Sequence, residues 1–503
     1  MPVASSLAAQ SEPPGKAVYD KWCAGCHGDQ GAGDGDAAHY MLPRPRDFTK
    51  GVFQIRTTAS GELQTDDDLL RIIAGGMPGT AMPDWKGKLT VAEMKSVIAY
   101  IKTFSRFFQN AKPQPITIGS APSGGADAVK EGRAAFQKLE CFKCHGQAGR
   151  GDGPSAPTLK DDAGFPIRAA DLTESWNFNG GSEVEQIYAR LRTGLDGTPM
   201  PSFNDVIDAK VITDAQLWRV AQYVRGLSAD KPPEVREVIR AQQVIRLPTA
   251  PGDSIWSQAA PAYVPLVGQI IRAPRWFTPT VDGLWVQALH DGKRLALRLV
   301  WHDPSRSPDS AWQEWQGRIA QTVARDDTTA LVQGPDRLLV QFPVQVTDDT
   351  ERPYFLGGST RRPVHLWRWA SDQTSVEEGS GTGLGRFAPA SRSQVTHAAR
   401  FDQGEWQLQL TRSLLPADTT KAPTFTPGRA IPIGFLAADG SSGEDLHRAA
   451  ISAWYAVYLD VPTPTRVYVQ PVVAAMLTAG LGLFVVARAQ RRPRRPGDPI
   501  SEA

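Results

Sequence analysis

The chain has 503 residues, more than one hydrophobic core usually supports, so its length indicates about three domains. Its apolar content of 41% and charged content of 21% are ordinary for a globular protein. The formal net charge of +2, with no basic and aromatic patch in the body of the chain, argues against nucleic acid as a partner.

The first residues carry an incomplete processing signal. Ser6-Leu7-Ala8 has the small-x-small form of a signal-peptide cleavage site, but neither a basic nor an apolar region precedes it. We expect residues 1–14 to be the remnant of a signal peptide or a disordered segment.

Residues 15–105 contain the first strong motif, Cys23-Ala24-Gly25-Cys26-His27. CxxCH is the attachment signature of c-type haem: the two thiols form thioethers to the porphyrin, and the histidine is the proximal ligand of the iron. Met82 follows His27 by 55 positions, inside Gly79-Thr80-Ala81-Met82-Pro83, and methionine is a known distal ligand of such haems. The pattern predicts a haem c with His27 and Met82 as axial ligands.

Helical patterns surround this motif. A short helix is predicted to lead into Trp22. Residues 66–73 are predicted to form a second helix, because three acidic side chains in its first turn would interact favourably with the helix dipole. Thr90 is a predicted helix cap, because apolar residues follow it at helical spacing as far as Phe104. Residues 106–127 contain prolines and a Ser-Gly-Gly run, and are predicted to be a linker.

Three other side chains near the motif have open roles. Met77 is a rival to Met82 but lacks the Gly-Thr-x-Met-Pro frame, so we predict that it packs near the pocket. Arg44 and Arg46 could pair with haem propionates, and solvated loop charges are an equally common role for such arginines.

Residues 128–228 repeat the first unit. Cys141-Phe142-Lys143-Cys144-His145 is a second CxxCH motif, and Met200 again follows its histidine by 55 positions, in a Gly-Thr-Pro-Met-Pro frame. Asp171-Leu172-Thr173 matches Asp47-Phe48-Thr49 of the first unit. The two motifs use all four cysteines of the chain, so none remains for a disulfide or a zinc site.

The two units resemble class I cytochrome c domains in tandem. The resemblance implies an all-α fold, in which a small bundle of helices surrounds each haem and leaves one haem edge exposed. The residues that would hold the first haem are Cys23, Cys26, His27 and Met82, and those for the second are Cys141, Cys144, His145 and Met200.

Residues 232–462 have a different pattern, with short apolar and aromatic runs bounded by Gly, Pro and Asp. The clearest runs are 285–289, 295–301, 337–346, 363–369, 406–410 and 431–436. No comparably long amphipathic helix is expected between them. The pattern predicts a mainly antiparallel β-sandwich or barrel.

This region resembles the haem b domain related to the ethylbenzene dehydrogenase gamma subunit, which serves molybdenum enzymes of the DMSO reductase family. The resembling pieces are Val264-Pro265-Leu266 with Gln269, 295–301 with Asp303, 339–343, 353–358, 363–369 and 451–455. The resemblance implies a molybdopterin catalytic subunit and an iron–sulfur subunit as partners.

The sequence departs from this family at the haem b ligands, which are a methionine and a lysine. The positions near Leu356-Gly357 and Arg448-Ala449 supply neither residue. A haem b would therefore need other ligands. Five histidines could in principle replace the pair, although surface or strand-packing roles are more common for each: His290, His302, His365, His397 and His447.

Residues 467–487 are a 21-residue stretch without charge, about the length that crosses a bilayer, and residues 488–503 are rich in arginine. By the positive-inside rule the tail is cytoplasmic and the preceding chain lies outside. A buried C-terminal helix is the alternative. We expect a transmembrane anchor in the bacterial cytoplasmic membrane, with the bulk of the chain on its periplasmic face.

Haems with His/Met ligation transfer electrons and leave no coordination position open to a substrate. No nucleophile–base pair or phosphate loop is evident in the sequence, so no catalytic residue is predicted. We expect an electron-transfer subunit between a molybdopterin oxidoreductase and the respiratory chain. The respiratory partner would be a soluble cytochrome c, a quinone-linked complex or an oxidase.

Two other hypotheses stay open. A dihaem peroxidase would need one haem with a loose or missing distal ligand, and both Met-Pro loops argue against that. A tandem haem c subunit of a terminal oxidase would usually carry its anchor before the haem domains, whereas the apolar stretch here follows them.

Overall fold

The computed structural model describes residues 13–323, 329–346, 351–461 and 465–491. Only the last two residues of the predicted segment 1–14 and the first four of the predicted tail 488–503 fall within this part. The predictions for the rest of those two segments lie outside the described residues.

The first part of the chain forms two similar helical bundles. The helices of the first bundle are α1 (Lys16–Trp22), α2 (Ala24–His27), α3 (Asp66–Gly75) and α4 (Val91–Thr103). Those of the second are α5 (Ala126–Lys138), α6 (Phe142–His145), α7 (Val184–Thr193), α8 (Asn204–Asp208) and α9 (Asp214–Gly226). The predicted helices before Trp22, at 66–73 and after Thr90 are confirmed.

Threonine caps begin three of these helices. The side chains of Thr65, Thr90 and Thr213 each accept a hydrogen bond from the backbone N–H three residues on, and an acid or amide at that position bonds back to the cap. These reciprocal bonds satisfy two N–H groups that a helix start would otherwise leave unpaired. The last helices of the two bundles, α4 and α9, therefore start in the same way.

The first and last helices of each bundle cross at a glycine. In the second bundle, Gly132 of α5 lies against the backbone carbonyl of Arg219 in α9, where an added Cβ would collide. In the first bundle, Gly15 precedes α1 with a φ of 87° and lies against the Ser96 carbonyl of α4. The absence of a side chain lets the two backbones approach closely in both bundles.

The chain from residue 238 to residue 459 is rich in strands. The strands are β1 (Val238–Gln243), β2 (Ala262–Pro265), β3 (Val267–Gly268), β4 (Gly283–His290), β5 (Arg294–His302), β6 (Arg337–Pro343), β7 (Val364–Ala370), β8 (Glu377–Gly381), β9 (Phe387–Pro389), β10 (Thr396–Phe401), β11 (Glu405–Ser413), β12 (Ala430–Ala438), β13 (Ala450–Ile451) and β14 (Tyr455–Leu459). All six predicted runs fall wholly or mainly within these strands.

The strands form two sheets that share β12. One sheet has the order β10-β11-β5-β4-β1-β14-β12, and the other continues β12-β6-β7-β8-β9. Strand β2 pairs with β4, β13 pairs with β12, and β3 pairs with β13. The pairs are antiparallel except that β1 runs parallel to both β4 and β14. The predicted fold class is thus confirmed, with β1 as an unpredicted parallel insertion.

The two sheets pack face to face around one core. Alternate residues of facing strands point into it, including Leu299 of β5, Val340 of β6 and Trp367 of β7. Ring centroids of Trp301 and Trp369, from opposite sheets, lie 5.8 Å apart. The β-rich part, which we call the β-domain, is therefore a sandwich.

One helix interrupts the β-domain, so the expectation that no comparably long amphipathic helix intervenes is wrong. Helix α10 (Ser310–Thr322) has 13 residues. Trp312, Trp315 and Ile319 recur at helical spacing and pack with Ala156 of the second bundle and Leu42 of the first. The apolar stripe was present in the sequence, but the surface that it covers belongs to the cytochrome-like part of the chain.

Helix α11 (Thr465–Gln490) ends the described chain. Its stretch Val469–Gln490 is the one helix of the described residues that is long and apolar enough to cross a membrane. Its described side chains are exposed, including Leu477, Leu481 and Phe484. An apolar helix that does not pack on the body of the protein fits the predicted anchor in length and composition.

Candidate haem sites

The two CxxCH histidines are held in the same way. Nδ1 of His27 lies 3.0 Å from the backbone carbonyl oxygen of Arg46, and Nδ1 of His145 lies 2.9 Å from that of Ala170. Donation to a carbonyl fixes the tautomer and leaves Nε2 with the lone pair that a metal needs. Burial lowers the pKa of both imidazoles, which favours the neutral form that binds iron.

These two carbonyls are positioned by the repeated Asp-x-Thr turn. Oδ1 of Asp47 accepts a hydrogen bond from the backbone N–H of Thr49 at 2.9 Å, and Oδ1 of Asp171 accepts one from Thr173 at 2.7 Å. The residue before each turn supplies the carbonyl. The repeat was visible in the sequence, but the role of the preceding residue was not, because a backbone acceptor leaves no side-chain signature.

The four cysteines are half-buried and form no disulfide. Cys23 and Cys141 lie at the edges of the cores of their bundles. Burial raises the pKa of Cys23 to about 11 and that of Cys141 to about 12, so both are neutral thiols at physiological pH. In each motif the second cysteine follows one helical turn later, which brings the two thiols to neighbouring positions.

The two methionine loops have the same hydrogen bonds. The Thr80 hydroxyl accepts from the Met82 N–H at 3.2 Å and donates to the Met77 carbonyl at 2.7 Å. In the second bundle, Thr198 makes the same bonds, at the same distances, to Met200 and Leu195. Met82 and Met200 are both half-buried and pack against the cores of their bundles.

This symmetry distinguishes Met82 from Met77. The Met77 N–H donates to the Met82 carbonyl at 3.1 Å, and the Leu195 N–H donates to the Met200 carbonyl at the same distance. Met77 therefore occupies the place that Leu195 has in the second bundle, and leucine cannot bind iron. The geometry favours Met82 as the ligand and supports the predicted packing role of Met77.

The methionine loops lie where the two bundles meet. Gly79 of the first loop faces Asn177 of the second bundle, and Gly197 of the second loop faces the guanidinium of Arg46. The backbone carbonyl of Arg46 is the one that holds His27. The distal side of the second candidate site thus adjoins the proximal side of the first.

A buried arginine joins the same two bundles. The guanidinium of Arg56 forms an ion pair with Asp196 of the second methionine loop and donates to the Thr193 carbonyl oxygen at 2.8 Å. Its side chain is fully buried. Losing one partner of such a pair is costly, so this contact fixes the position of the bundles relative to each other.

Arg44 and Arg46 are only partly exposed and both contact other parts of the chain, so neither is a freely solvated loop charge. Arg44 donates to the carbonyl oxygens of Ala38 and Thr322, the latter in α10, and lies 5.2 Å from the ring of Phe165. Burial lowers the pKa of Arg46, which also lies near Asp161 and Asp162. Pairing with haem propionates stays a prediction for both arginines.

The second bundle contacts the β-domain through a polar network. Nη2 of Arg150 lies 2.7 Å from Oε2 of Glu405, and its Nε donates to Nε2 of His302 at 3.2 Å. Nδ1 of His302 lies 2.9 Å from Oδ2 of Asp171, the first residue of the second Asp-x-Thr turn. The β-domain therefore contacts the turn that positions the Ala170 carbonyl bonded to His145.

A shallow cleft lies on the outer face of β6, β7 and β12, where the family resemblance would place haem b. Its lining is mainly apolar and includes Leu356, Gly357 and Leu436, with Arg368 and Arg386 as its charged residues. No methionine or lysine lines it among the described residues. The residues present do not supply the ligand pair that the family uses for haem b.

The five histidines do not form a substitute pair. Both ring nitrogens of His290, His302 and His365 have hydrogen-bond partners, such as the Asp460 carbonyl, Asp171 and Glu378. His397 lies on the outer strand β10. His447 lies beside Gly385 at the rim of the cleft, and supplies at most one ligand.

Three family models match the chain. The model described as cytochrome C oxidase, cbb3-type, subunit III matches residues 10–101, and the model described as cytochrome c matches residues 129–228. The model described as ethylbenzene dehydrogenase matches residues 253–385. These matches confirm both resemblances inferred from the sequence.

Several proteins are similar to parts of the chain. ORF7 of Haloferax mediterranei, described as a respiratory nitrate reductase heme subunit, is 26% identical over 209 residues, which are 41% of this chain and 67% of that protein. A solved chain of the reducing HAO-like protein complex of Kuenenia stuttgartiensis is 43% identical, with a TM-score of 0.40, and the match covers 43% of this chain and 96% of that one. A family 9 carbohydrate-binding module of Caldicellulosiruptor kristjanssonii is 10% identical, with a TM-score of 0.27, over 45% of this chain and 97% of its own.

Proposed function

The chain joins two cytochrome c domains to an ethylbenzene dehydrogenase-related domain, and from this premise we propose that it is a membrane-anchored dihaem electron-transfer subunit. It would relay electrons between a molybdopterin oxidoreductase of the DMSO reductase family and the respiratory chain. Cys23, Cys26, His27 and Met82 would hold one haem c. Cys141, Cys144, His145 and Met200 would hold the other.

The observation that carries this proposal is the duplicated arrangement in which one histidine and one methionine have the same hydrogen bonds in each bundle. A haem bound there would supply one-electron chemistry. A histidine and a methionine of the chain would hold each iron, which would leave no ligand position for a substrate. The hydrogen bond from Nδ1 to a backbone carbonyl oxygen orients each imidazole. Such residues support electron transfer rather than catalysis by the chain itself.

The packing of the two bundles supports a relay inside the chain. Arg46 contacts both candidate sites, through its carbonyl on His27 and its guanidinium beside Gly197. The buried ion pair of Arg56 with Asp196 keeps the bundles in this arrangement. Two redox groups held this near each other would exchange electrons without a separate docking step.

The β-domain and the C-terminal helix support the assignment of partners. The β-domain matches the ethylbenzene dehydrogenase model, a resemblance that implies a molybdenum enzyme as partner, and ORF7 is described as a respiratory nitrate reductase heme subunit. Helix α11 would anchor the chain, with the haem domains on the periplasmic face of the cytoplasmic membrane. Haem b has no place in this proposal, because the cleft lacks the family's ligands.

The test is a cofactor count on the complex purified from native membranes in mild detergent. We expect two covalent haem c groups per chain by pyridine haemochrome spectra, no extractable haem, and molybdenum in the same complex by mass spectrometry. We also expect nitrate to reoxidise the dithionite-reduced haems in a stopped-flow experiment if the partner resembles that of ORF7. Fewer than two covalent haems per chain, or a complex without molybdenum, would contradict the proposal.

The match of residues 10–101 to a cbb3-type oxidase subunit favours a second candidate, a haem subunit of a terminal oxidase. That reading leaves the β-domain without a role. Copper and an oxidase core in the purified complex, in place of molybdenum, would establish it. A dihaem peroxidase would instead show a high-spin haem and peroxide turnover, which two complete His/Met pockets argue against.

A further inference from the structure

Four acidic side chains meet inside the β-domain, away from both candidate haem sites. Asp303 directly follows β5, Asp336 directly precedes β6, and Asp439 directly follows β12, with Glu444 five residues later. Strands β6 and β12 are antiparallel neighbours in which Arg337 pairs with Ala438, so the adjoining aspartates meet at one edge. The first three side chains are fully buried, and Glu444 is 1% exposed.

The hydrogen bonds to this cluster come from neutral donors. Asp336 accepts from the indole N–H of Trp406 and from the backbone N–H groups of Ser307 and Gly440. Asp439 accepts from Ser441 and Ser442 and from the hydroxyl of Ser307. Glu444 accepts from the indole N–H of Trp276 and from the N–H groups of Thr280 and Asp439. All six oxygens of these three carboxylates have partners.

The second oxygen of Asp303 differs from all of these. Oδ1 of Asp303 accepts from the Ser305 N–H at 3.3 Å, whereas Oδ2 is buried and has no hydrogen-bond partner among the residues that the structure describes. Asp303, Asp336 and Asp439 can each offer one carboxylate oxygen such that all three lie within 4.8 Å of one another. A buried carboxylate oxygen without a donor is costly, and a cation held between it and the neighbouring carboxylates would remove that cost.

The cluster also has too little positive charge around it to balance four carboxylates. In the part of the chain that the structure describes, no lysine, arginine or histidine forms an ion pair with any of the four carboxylates. Arg168 acts on Asp439 and Glu444 from a distance, while its guanidinium lies over the ring of Trp315 at 5.1 Å. Burial and mutual repulsion raise the pKa of Asp303 well above its usual range and that of Asp336 to about 6, and they also raise the pKa of Glu444.

We propose that Asp303, Asp336 and Asp439 bind a divalent cation of the Ca²⁺ class. Within the described part of the chain, the site offers oxygen atoms only, with no imidazole or thiol, which disfavours zinc and the other transition metals. Mg²⁺ usually keeps several waters, whereas Ca²⁺ accepts cages built from carboxylates, hydroxyls and backbone oxygens. The serine hydroxyls around Asp439 are further oxygen atoms within reach of such an ion.

The cation would fasten the loops that face the second cytochrome domain. Asp303 follows His302, which contacts Asp171 of that domain. Ser307, bonded to both Asp336 and Asp439, precedes α10, whose buried face lies against Ala156. Gly440 packs so tightly on the Gly334 carbonyl that an added Cβ would collide with it. The site therefore joins strand ends from both sheets, next to the contact with the haem domains.

The first experiment needs no variant. Full-length holoprotein in detergent is exchanged into chelator-free buffer, and its calcium is counted by mass spectrometry. We expect about one Ca²⁺ per chain. Treatment with EDTA should lower the unfolding midpoint by about 5 °C relative to Ca²⁺ at about 100 times its dissociation constant. Ca²⁺ should restore the midpoint, and Mg²⁺ at the same concentration should not. Haem absorbance is followed to check that EDTA leaves the haems in place.

Two charge-removing variants locate the ion. Asp303→Asn should lose the bound calcium and the EDTA effect, and in EDTA it should unfold at a higher temperature than the wild type because one repulsion is gone. Glu174→Gln is the matched control: it alters the half-buried group of Asp171, Glu174 and His302 at the domain contact, and should keep both the calcium and the EDTA effect.

Other outcomes would overturn the proposal. Wild-type protein without calcium, and with equal midpoints in EDTA and Ca²⁺, would mean that protons alone neutralise the cluster. Loss of calcium in Glu174→Gln but not in Asp303→Asn would move the ion to the domain contact. If Asp303→Asn fails to fold, the wild-type comparison still decides between these outcomes.

Discussion

At the scale of single residues, the duplication gives each position in one methionine loop a counterpart in the other. Met82 corresponds to Met200, and Met77 corresponds to Leu195, because the same hydrogen bonds connect them. The chain thereby contains its own comparison between a residue that could bind iron and one that only packs.

The first prediction concerns the two methionines of the first loop. Met82→Ala should convert the first haem to a high-spin form and lower its reduction potential by more than about 100 mV, since axial ligands set haem potentials over a range of roughly 0.8 V. The change is measured by absorption spectra and by redox titration of the whole protein, in which the second haem is an internal reference.

Met77→Leu is the control for this experiment. It places in the first loop the residue that the second loop has naturally, and it should leave the spectrum and the potential unchanged. If Met77→Leu were to alter the first haem while Met82→Ala did not, the assignment of the distal ligand would be reversed.

At the scale of secondary-structure elements, each bundle depends on the crossing of its first and last helices. The buried face of α9 supplies Leu217, Val220, Ala221 and Val224 to the core of the second bundle. At Gly132 of α5 the two helix backbones are so near that an added Cβ would collide with the Arg219 carbonyl. The crossing positions the CxxCH motif that follows α5, so a change there should affect the haem site through the backbone.

The second prediction is made for this crossing. Gly132→Ala should lower the free energy of unfolding of the second domain by about 1–3 kcal/mol, because the added methyl group would push α5 away from the Arg219 carbonyl and from Tyr223. Denaturant unfolding followed by haem absorbance measures the effect.

The same substitution at Gly226 provides a matched control. Gly226 is the last residue of α9, and an added Cβ there has no atom within 4 Å. Gly226→Ala should leave stability unchanged or raise it by up to about 1 kcal/mol, since alanine has a better helix propensity. Equal losses of unfolding free energy in the two variants would mean that the close helix crossing at Gly132 does not cause the destabilisation.

At the scale of the whole molecule, the β-domain packs against the haem domains through direct side-chain contacts. Arg150 of the second cytochrome domain bonds to His302, to Glu405 and to the carbonyl oxygen of Gln403. Helix α10 covers residues of both haem domains, and Arg318 within it donates to the Pro157 carbonyl. These contacts should couple the unfolding of the two halves.

The third prediction is that Arg150→Met uncouples the unfolding of the β-domain from that of the haem domains. The methionine keeps much of the side-chain volume but removes charge-assisted bonds, each worth about 1–3 kcal/mol, to three partners. We expect haem absorbance and tryptophan fluorescence to report one shared thermal transition in the wild type and two separate transitions in the variant.

Arg236→Met is the control for a lost surface charge. Arg236 pairs with Glu234 within the same segment, and both side chains are mostly exposed. Such a pair contributes about 0–1 kcal/mol, so the shared transition should persist. Separate transitions already present in the wild type would show that the contact does not couple the domains.

Local and periodic features could be predicted from the sequence alone. The CxxCH motifs, the two equal distances to Met82 and Met200, the capped helix after Thr90 and the alternating strands were all predicted from it. Each depends on residues close in the chain or on a repeat, and backbone geometry converts these patterns directly into structure.

Only the tertiary structure decided which distant segments meet. The carbonyls of Arg46 and Ala170 reach the histidines, β1 inserts parallel to its neighbours, and α10 finds its surface on the haem domains. The acidic cluster likewise gathers Asp303 and Asp439 from loops far apart in the chain. Such contacts depend on how sheets and bundles pack, and no local spacing in the sequence encodes that packing. The residues come into contact only after both segments have folded.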